Sequence, residues 1–132
     1  MTVFVCLDEN NGMLFNNRRQ SRDSKVVEQI KALSMGRKLY MDGYSAKLFE
    51  DFEITVDDSF LEKAEGDDCC FVERGELREY DEKIKTLVVF KWNRIYPFDK
   101  RLDIGFNERT LKESYDFEGS SHEKITCEVW VR

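Results

Sequence analysis

Proline and histidine are nearly missing: Pro97 and His122 are the only residues of their kinds among 132. One imidazole cannot furnish a multi-histidine zinc centre, so hydrolysis of that class is excluded. Basic residues are outnumbered, 21 Lys and Arg against 27 Asp and Glu, and the net charge of −6 opposes wholesale attraction to nucleic acid or an anionic membrane. An anion site must therefore be a local patch. Long apolar runs are also missing. The run over residues 1–7 is too short for a membrane span or a signal peptide, and no basic stretch precedes it, so a cytoplasmic protein is expected. Cys6, Cys69, Cys70 and Cys127 show no C-x-x-C spacing and fall in apolar or alternating runs. They are expected to be reduced thiols packed as small hydrophobes, with no metal or redox centre.

What is present suffices for one core. Hydrophobic residues make up 41% and aromatic residues 13%, which fits a single folded domain over residues 1–132. Residues 3–7 form a continuous apolar run, as in a strand buried on both faces. Asp23 can cap a helix whose Val26, Val27, Ile30 and Leu33 repeat at helical spacing until Gly36. A short strand over 38–41 follows, then a helix capped by Ser45, a strand over 53–56, and a helix with Ser59 and Glu62 in capping-box spacing. Residues 69–72 and 86–92 predict strands, with a helical turn over 76–80 between them. The tail alternates: Ile125, Cys127, Val129 and Val131 point one way, with Thr126, Glu128 and Trp130 opposite, so an antiparallel closing pair is expected. Strands separated by short helices imply crossovers and a mostly parallel central sheet.

Two polar segments interrupt this pattern: residues 10–23, carrying Asn16, Asn17, Arg18, Arg19 and Arg22, and residues 119–124, carrying Ser120, Ser121 and His122. If their strands are neighbours, the only histidine lands beside three arginines, and that surface is the candidate functional face.

The order of elements and several motifs resemble dihydrofolate reductase. Asp8-Glu9-Asn10-Asn11-Gly12-Met13 is similar to the start of that family's mobile loop, and Ser34-Met35-Gly36-Arg37-Lys38-Leu39-Tyr40-Met41 to its helix end and second strand. Cys69-Cys70-Phe71-Val72-Glu73-Arg74-Gly75 resembles the family's glycine-pair strand, and Ser121-His122 its closing hairpin. The resemblance implies a three-layer α/β fold, with a central mostly parallel sheet and a C-terminal antiparallel hairpin. The departures fall in the reductase site. Val26 stands where the family places the carboxylate that supports pterin protonation, and Glu73-Arg74 where it places a Gly-Gly pair facing the nicotinamide cofactor. Gly43 replaces a basic phosphate-binding residue, leaving only Ser45 to offer a hydroxyl, and the region 52–56 looks one strand short. A degenerate reductase without a cofactor is the expectation. Phe15-Asn16-Asn17-Arg18-Arg19-Gln20-Ser21, Trp92-Asn93-Arg94-Ile95-Tyr96-Pro97 and Gly119-Ser120-Ser121-His122-Glu123-Lys124 also resemble short bacterial proteins often labelled ribonuclease Z. The zinc chemistry of that label needs a His-rich motif that this sequence lacks.

His122 could serve as general acid or base, with Glu123 orienting it, or could simply clasp the 16–21 loop through hydrogen bonds. Arg18, Arg19 and Arg22 could fork a phosphate or carboxylate, or be spent in ion pairs with Glu9, Asp23 and Glu123. Trp92, Tyr96 and Phe98 either stack on a base or pack where their strand leaves the core. Asp67-Asp68 and Glu50-Asp51 suit solvated turns, and Ser120 and Ser121 lack a nucleophile elbow. Reductase activity is a disfavoured alternative, and three other functions stay open. The first is a non-catalytic binding or regulatory protein holding a small anion, nucleotide or protein partner through Asn16, Asn17, Arg18, Arg19, Arg22, Ser121 and His122. The second is a metal-independent phosphodiesterase or nucleotide hydrolase using His122 and the arginines. In the third, the two loops form a homodimer contact.

Overall fold

The apolar alternation expected of strands organises the computed structural model, which describes all 132 residues. In chain order the elements are β1 (Thr2–Leu7), β2 (Gly12–Phe15), β3 (Arg18–Arg19), α1 (Ser24–Leu33), β4 (Leu39–Met41), α2 (Gly43–Ala46) and β5 (Thr55–Val56). Then come α3 (Phe60–Lys63), β6 (Cys69–Phe71), a 3-10 helix (Arg78–Lys83), β7 (Thr86–Lys91), β8 (Lys100–Arg101), β9 (Thr110–Phe117) and β10 (Ile125–Val131). Seven strands form the main sheet in the order β5-β4-β6-β1-β7-β10-β9. The five strands from β5 to β7 run parallel, while β10 and β9 add antiparallel pairings at one side. The fold is therefore mixed α/β with a mostly parallel centre and an antiparallel C-terminal hairpin. No helix is long and apolar enough to cross a membrane.

Period-2 alternation divides the core between the sheet's two faces. Val3, Val5 and Leu7 of β1, Cys70 of β6, and Leu87 and Val89 of β7 face one apolar cluster, closed by α3 and by Met13 and Leu14 of β2. Phe4, Cys69, Phe71, Val88 and Phe90 face the other, closed by Val26 and Ile30 of α1 and by Phe49. β10 alternates too, so Trp130 faces the first cluster while Cys127 and Val129 face the second, and a bulge in its pairing with β9 leaves Lys112 of β9 unpaired. All four cysteines are free thiols, three of them buried.

Three local expectations are corrected. Residues 10–23 are not one polar loop: β2 and β3 form a hairpin that, with β8, makes a small second sheet. Its two-residue turn is Asn16-Asn17, with φ of 53° and 59°, the left-handed pair of a type I′ turn that asparagine tolerates. The cap of α2 is Asp42, whose carboxylate accepts from the Ser45 backbone N–H, which frees the Ser45 hydroxyl for another partner. At α3 the capping box does not form. Ser59 makes no side-chain cap bond, and its own N–H is taken by the Asp57 carboxylate at 2.8 Å.

Candidate functional site

The turn between β9 and β10 and the N-terminus of α1 meet over one carboxylate. Asp23 caps α1 by accepting from the Lys25 N–H at 2.9 Å. It also accepts from the backbone N–H and hydroxyl of Ser120, from the backbone N–H of Ser121, and from His122 Nδ1 at 3.0 Å. Burial alone would raise its pKa. The N–H groups of Ser120 and Ser121, then His122 and the Lys25 N–H, outweigh that and hold it well below the ordinary carboxylate range. A Cβ on Gly119 would collide with the Asp23 carboxylate, so glycine is what lets the turn come this close.

Asp23 thereby sets the histidine tautomer. Because a carboxylate only accepts, Nδ1 carries the proton, and the Nε2 lone pair faces the Tyr96 hydroxyl at 3.0 Å and the Ser21 hydroxyl at 3.1 Å. The ring is stacked on Trp92, centroids 4.6 Å apart. With side-chain exposures of 1% and 0%, His122 and Asp23 are sealed from solvent. The expected clasp between the two segments thus exists, but Asp23 orients His122. Glu123 is exposed and makes no hydrogen bond or ion pair. Ser21 lies in the segment expected to be clasped, but local spacing does not tie Asp23 or Tyr96 to this histidine, because those contacts span 99 and 26 residues. The aspartate's cap signal was its only local trace.

In open α/β sheets ligands bind outside the carboxyl ends of the strands, where the strand order reverses. Here β4, β5 and β6 lie to one side of β1 and β7 to the other. That crevice holds the protein's own side chains. Glu73, just past β6, is 8% exposed and takes a two-pronged ion pair from Arg19, Nε at 2.8 Å and Nη2 at 2.9 Å. Its second partner is the hydroxyl of Ser45 at 2.7 Å. The Tyr44 ring is sandwiched between the guanidinium groups of Arg19 and Arg74, 4.1 and 4.3 Å from its centroid, and Arg74 bonds Asn17. Val26 lies in the apolar core at 2% exposure, with no carboxylate in its place. Outside the ends of β4, β5 and β6, a recess of about 650 Å³ is lined by Asp42, Asp58, Glu62, Glu76, Glu79 and Asp103 against Arg74 and Arg78.

The three arginines do not form a fork. Arg19 is consumed by Glu73, and Arg18 and Arg22 are exposed without ion pairs. They open onto different recesses: Arg18 with Phe15, Gln20 and Tyr96, and Arg22 with Lys31, Lys47, Ser120 and Ser121. Of the other candidates, Asn16 and Asn17 build the hairpin turn, and Ser121 donates its N–H to Asp23 and its hydroxyl to the Arg22 carbonyl. Trp92 is 3% exposed and packs in the core, which settles its role as packing.

No family model matches the chain, and no curated protein sequence is similar to it. Among solved structures, it is similar to a dihydrofolate reductase from Enterococcus faecalis complexed with NADP(H) and RAB-propyl. The TM-score is 0.70 over 99% of this chain and 95% of that one, at 8% identity. That likeness establishes a dihydrofolate-reductase-like fold.

Proposed function

We propose that this chain is a non-catalytic binding or regulatory protein of the cytoplasm, built on a dihydrofolate-reductase-like scaffold whose ligand crevice is closed by its own side chains. One observation carries the reading: buried Glu73, locked by Arg19 and Ser45, fills the strand-end crevice with a satisfied carboxylate. An anionic dinucleotide laid there would have to displace that ion pair, and would then meet a recess whose six carboxylates outnumber its two arginines. Of the three arginines in the two facing segments, Arg18 and Arg22 are still free for an anion, a nucleotide or an acidic protein partner. A second reading is favoured by the alignment of Ser21 Oγ, His122 Nε2 and Asp23 Oδ2, the order of a nucleophile, base and orienting acid. It makes the chain a metal-independent phosphodiesterase or nucleotide hydrolase. Against it, Tyr96 competes for the same Nε2 lone pair and the histidine is sealed.

One titration series separates these readings. The protein and an Arg18→Ala/Arg22→Ala variant are titrated with NADPH, dihydrofolate, pyrophosphate and mononucleotides at low and high salt, and each mixture is assayed for turnover. The expected result is no saturable NADPH or dihydrofolate binding and salt-sensitive anion binding without turnover. The double variant should bind anions at least 10-fold more weakly at unchanged melting temperature. Saturable NADPH binding, or anion affinity untouched by the double substitution, would overturn the proposal. Turnover that disappears in Ser21→Ala would establish the hydrolase instead.

A further inference from the structure

The recess beside Arg18 has a composition unlike the rest of this acidic surface. It holds about 490 Å³ between the β2–β3 hairpin and the 96–97 segment, and its walls are Phe15, Asn16, Arg18, Arg19, Gln20, Tyr96 and Pro97, with no carboxylate among them. That volume falls within the roughly 300–1,000 Å³ of small-molecule sites. Phe15 is 42% exposed and is the one aromatic ring among the exposed large hydrophobic side chains. It sits directly across the hairpin from Arg18, and opposed residues of an antiparallel pair project from the same face. An uncovered ring and an unpaired guanidinium are thus held side by side by the type I′ turn.

The facing wall is rigid. The Tyr96 N–H donates to Asp8 at 3.1 Å and its hydroxyl is engaged by His122. Gln20 Nε2 is committed to the Asp8 carboxylate and to the Pro97 carbonyl, both acceptors, which fixes the amide orientation. Gln20 Oε1 is buried and is left without any partner.

From these features we propose that the recess binds a nucleoside monophosphate. The base lies on Phe15 beside Tyr96, and the phosphate meets Arg18. This deepens the anion-binding reading above and rests on it. The free mononucleotide is favoured over an RNA strand, because the net charge of −6 repels a polyanion while one recess cation suffices for one phosphate.

The test is isothermal titration with AMP, and with adenosine and ribose 5-phosphate as its two halves. AMP is expected to bind saturably, at least 10-fold tighter than either half. Phe15→Ala and Arg18→Ala should each weaken it at least 10-fold, whereas Phe15→Tyr retains it. Both side chains are exposed, so unchanged circular dichroism and melting temperature confirm that the variants are folded. No saturable AMP binding, or AMP affinity indifferent to both alanine variants, overturns the proposal. Equal affinity for AMP and ribose 5-phosphate, both dependent on Arg18, overturns base recognition while leaving anion binding intact. Saturable NADPH binding that survives Phe15→Ala would instead overturn the closed crevice alone.

Discussion

Asp23 holds together parts of the chain far apart in sequence, and every donor around it needs a full carboxylate. Five donors converge on its two oxygens: the backbone N–H groups of Lys25, Ser120 and Ser121, the Ser120 hydroxyl and His122 Nδ1. In Asp23→Asn, one oxygen becomes a donor facing donors, so the loss exceeds that of a single bond. A destabilisation of roughly 2–4 kcal/mol is expected at pH 7. The pH dependence follows from the depressed folded-state pKa. A carboxyl held below its unfolded value of about 3.9 contributes its full stabilisation above about pH 5 and loses it progressively as pH falls through and below that value. Urea unfolding of wild type at pH 7, 5 and 3 should therefore show stability dropping on the acid side. Asp23→Asn should show a visibly flatter drop, and equal slopes for the two proteins would mean that Asp23 is not the carboxylate responsible.

At the scale of elements, the β2–β3 hairpin is fastened to β6 by one ion pair, and this decides what an arginine substitution means. Arg19 is 19% exposed and Glu73 7%, so Arg19→Ala strands a mostly buried carboxylate. It should cost roughly 2–3 kcal/mol by thermal or urea unfolding, whereas adding Glu73→Ala should recover part of that loss, giving a favourable coupling energy in the double-mutant cycle. Additive losses would show the pair to be dispensable. The contrast with Arg18, which has no partner, was invisible in the sequence, where the two arginines are neighbours. Strands were legible because alternation is local: the apolar runs of β1 and β7 and the inward Ile125 and Cys127 of β10 all lie where their pattern put them. The hairpin was not, although Met13 and Leu14 before an Asn-Asn pair are a recognisable turn signal. The site was legible only as two facing segments. The contacts that give it chemistry, Glu73 to Arg19 over 54 positions and Asp23 to His122 over 99, leave no trace in local spacing.

For the whole molecule, the question is whether the two apolar layers can open separately, and the adjacent cysteines of β6 are placed to answer it. Cys69 points into the layer beneath α1 and Cys70 into the layer beneath α3, each at 0% exposure. Burial raises both thiols, Cys70 to about 12, so neither is a reactive thiolate near neutral pH in the folded protein. The sheet between them is shared: β1 and β7 contribute alternate side chains to both layers. Withdrawing one layer exposes the backs of strands whose other faces remain packed, and with a single sheet as the common wall neither layer forms a core alone. Variants retaining only Cys69 or only Cys70, with the other cysteines replaced by Ala, should therefore label with a disulfide reagent at rates that are slow in buffer. Those rates should rise with the same urea dependence in both variants, matching global unfolding. A Cys69 rate with a shallower urea dependence than that of Cys70 would show the α1 layer opening on its own, and with it the Asp23 and His122 clasp.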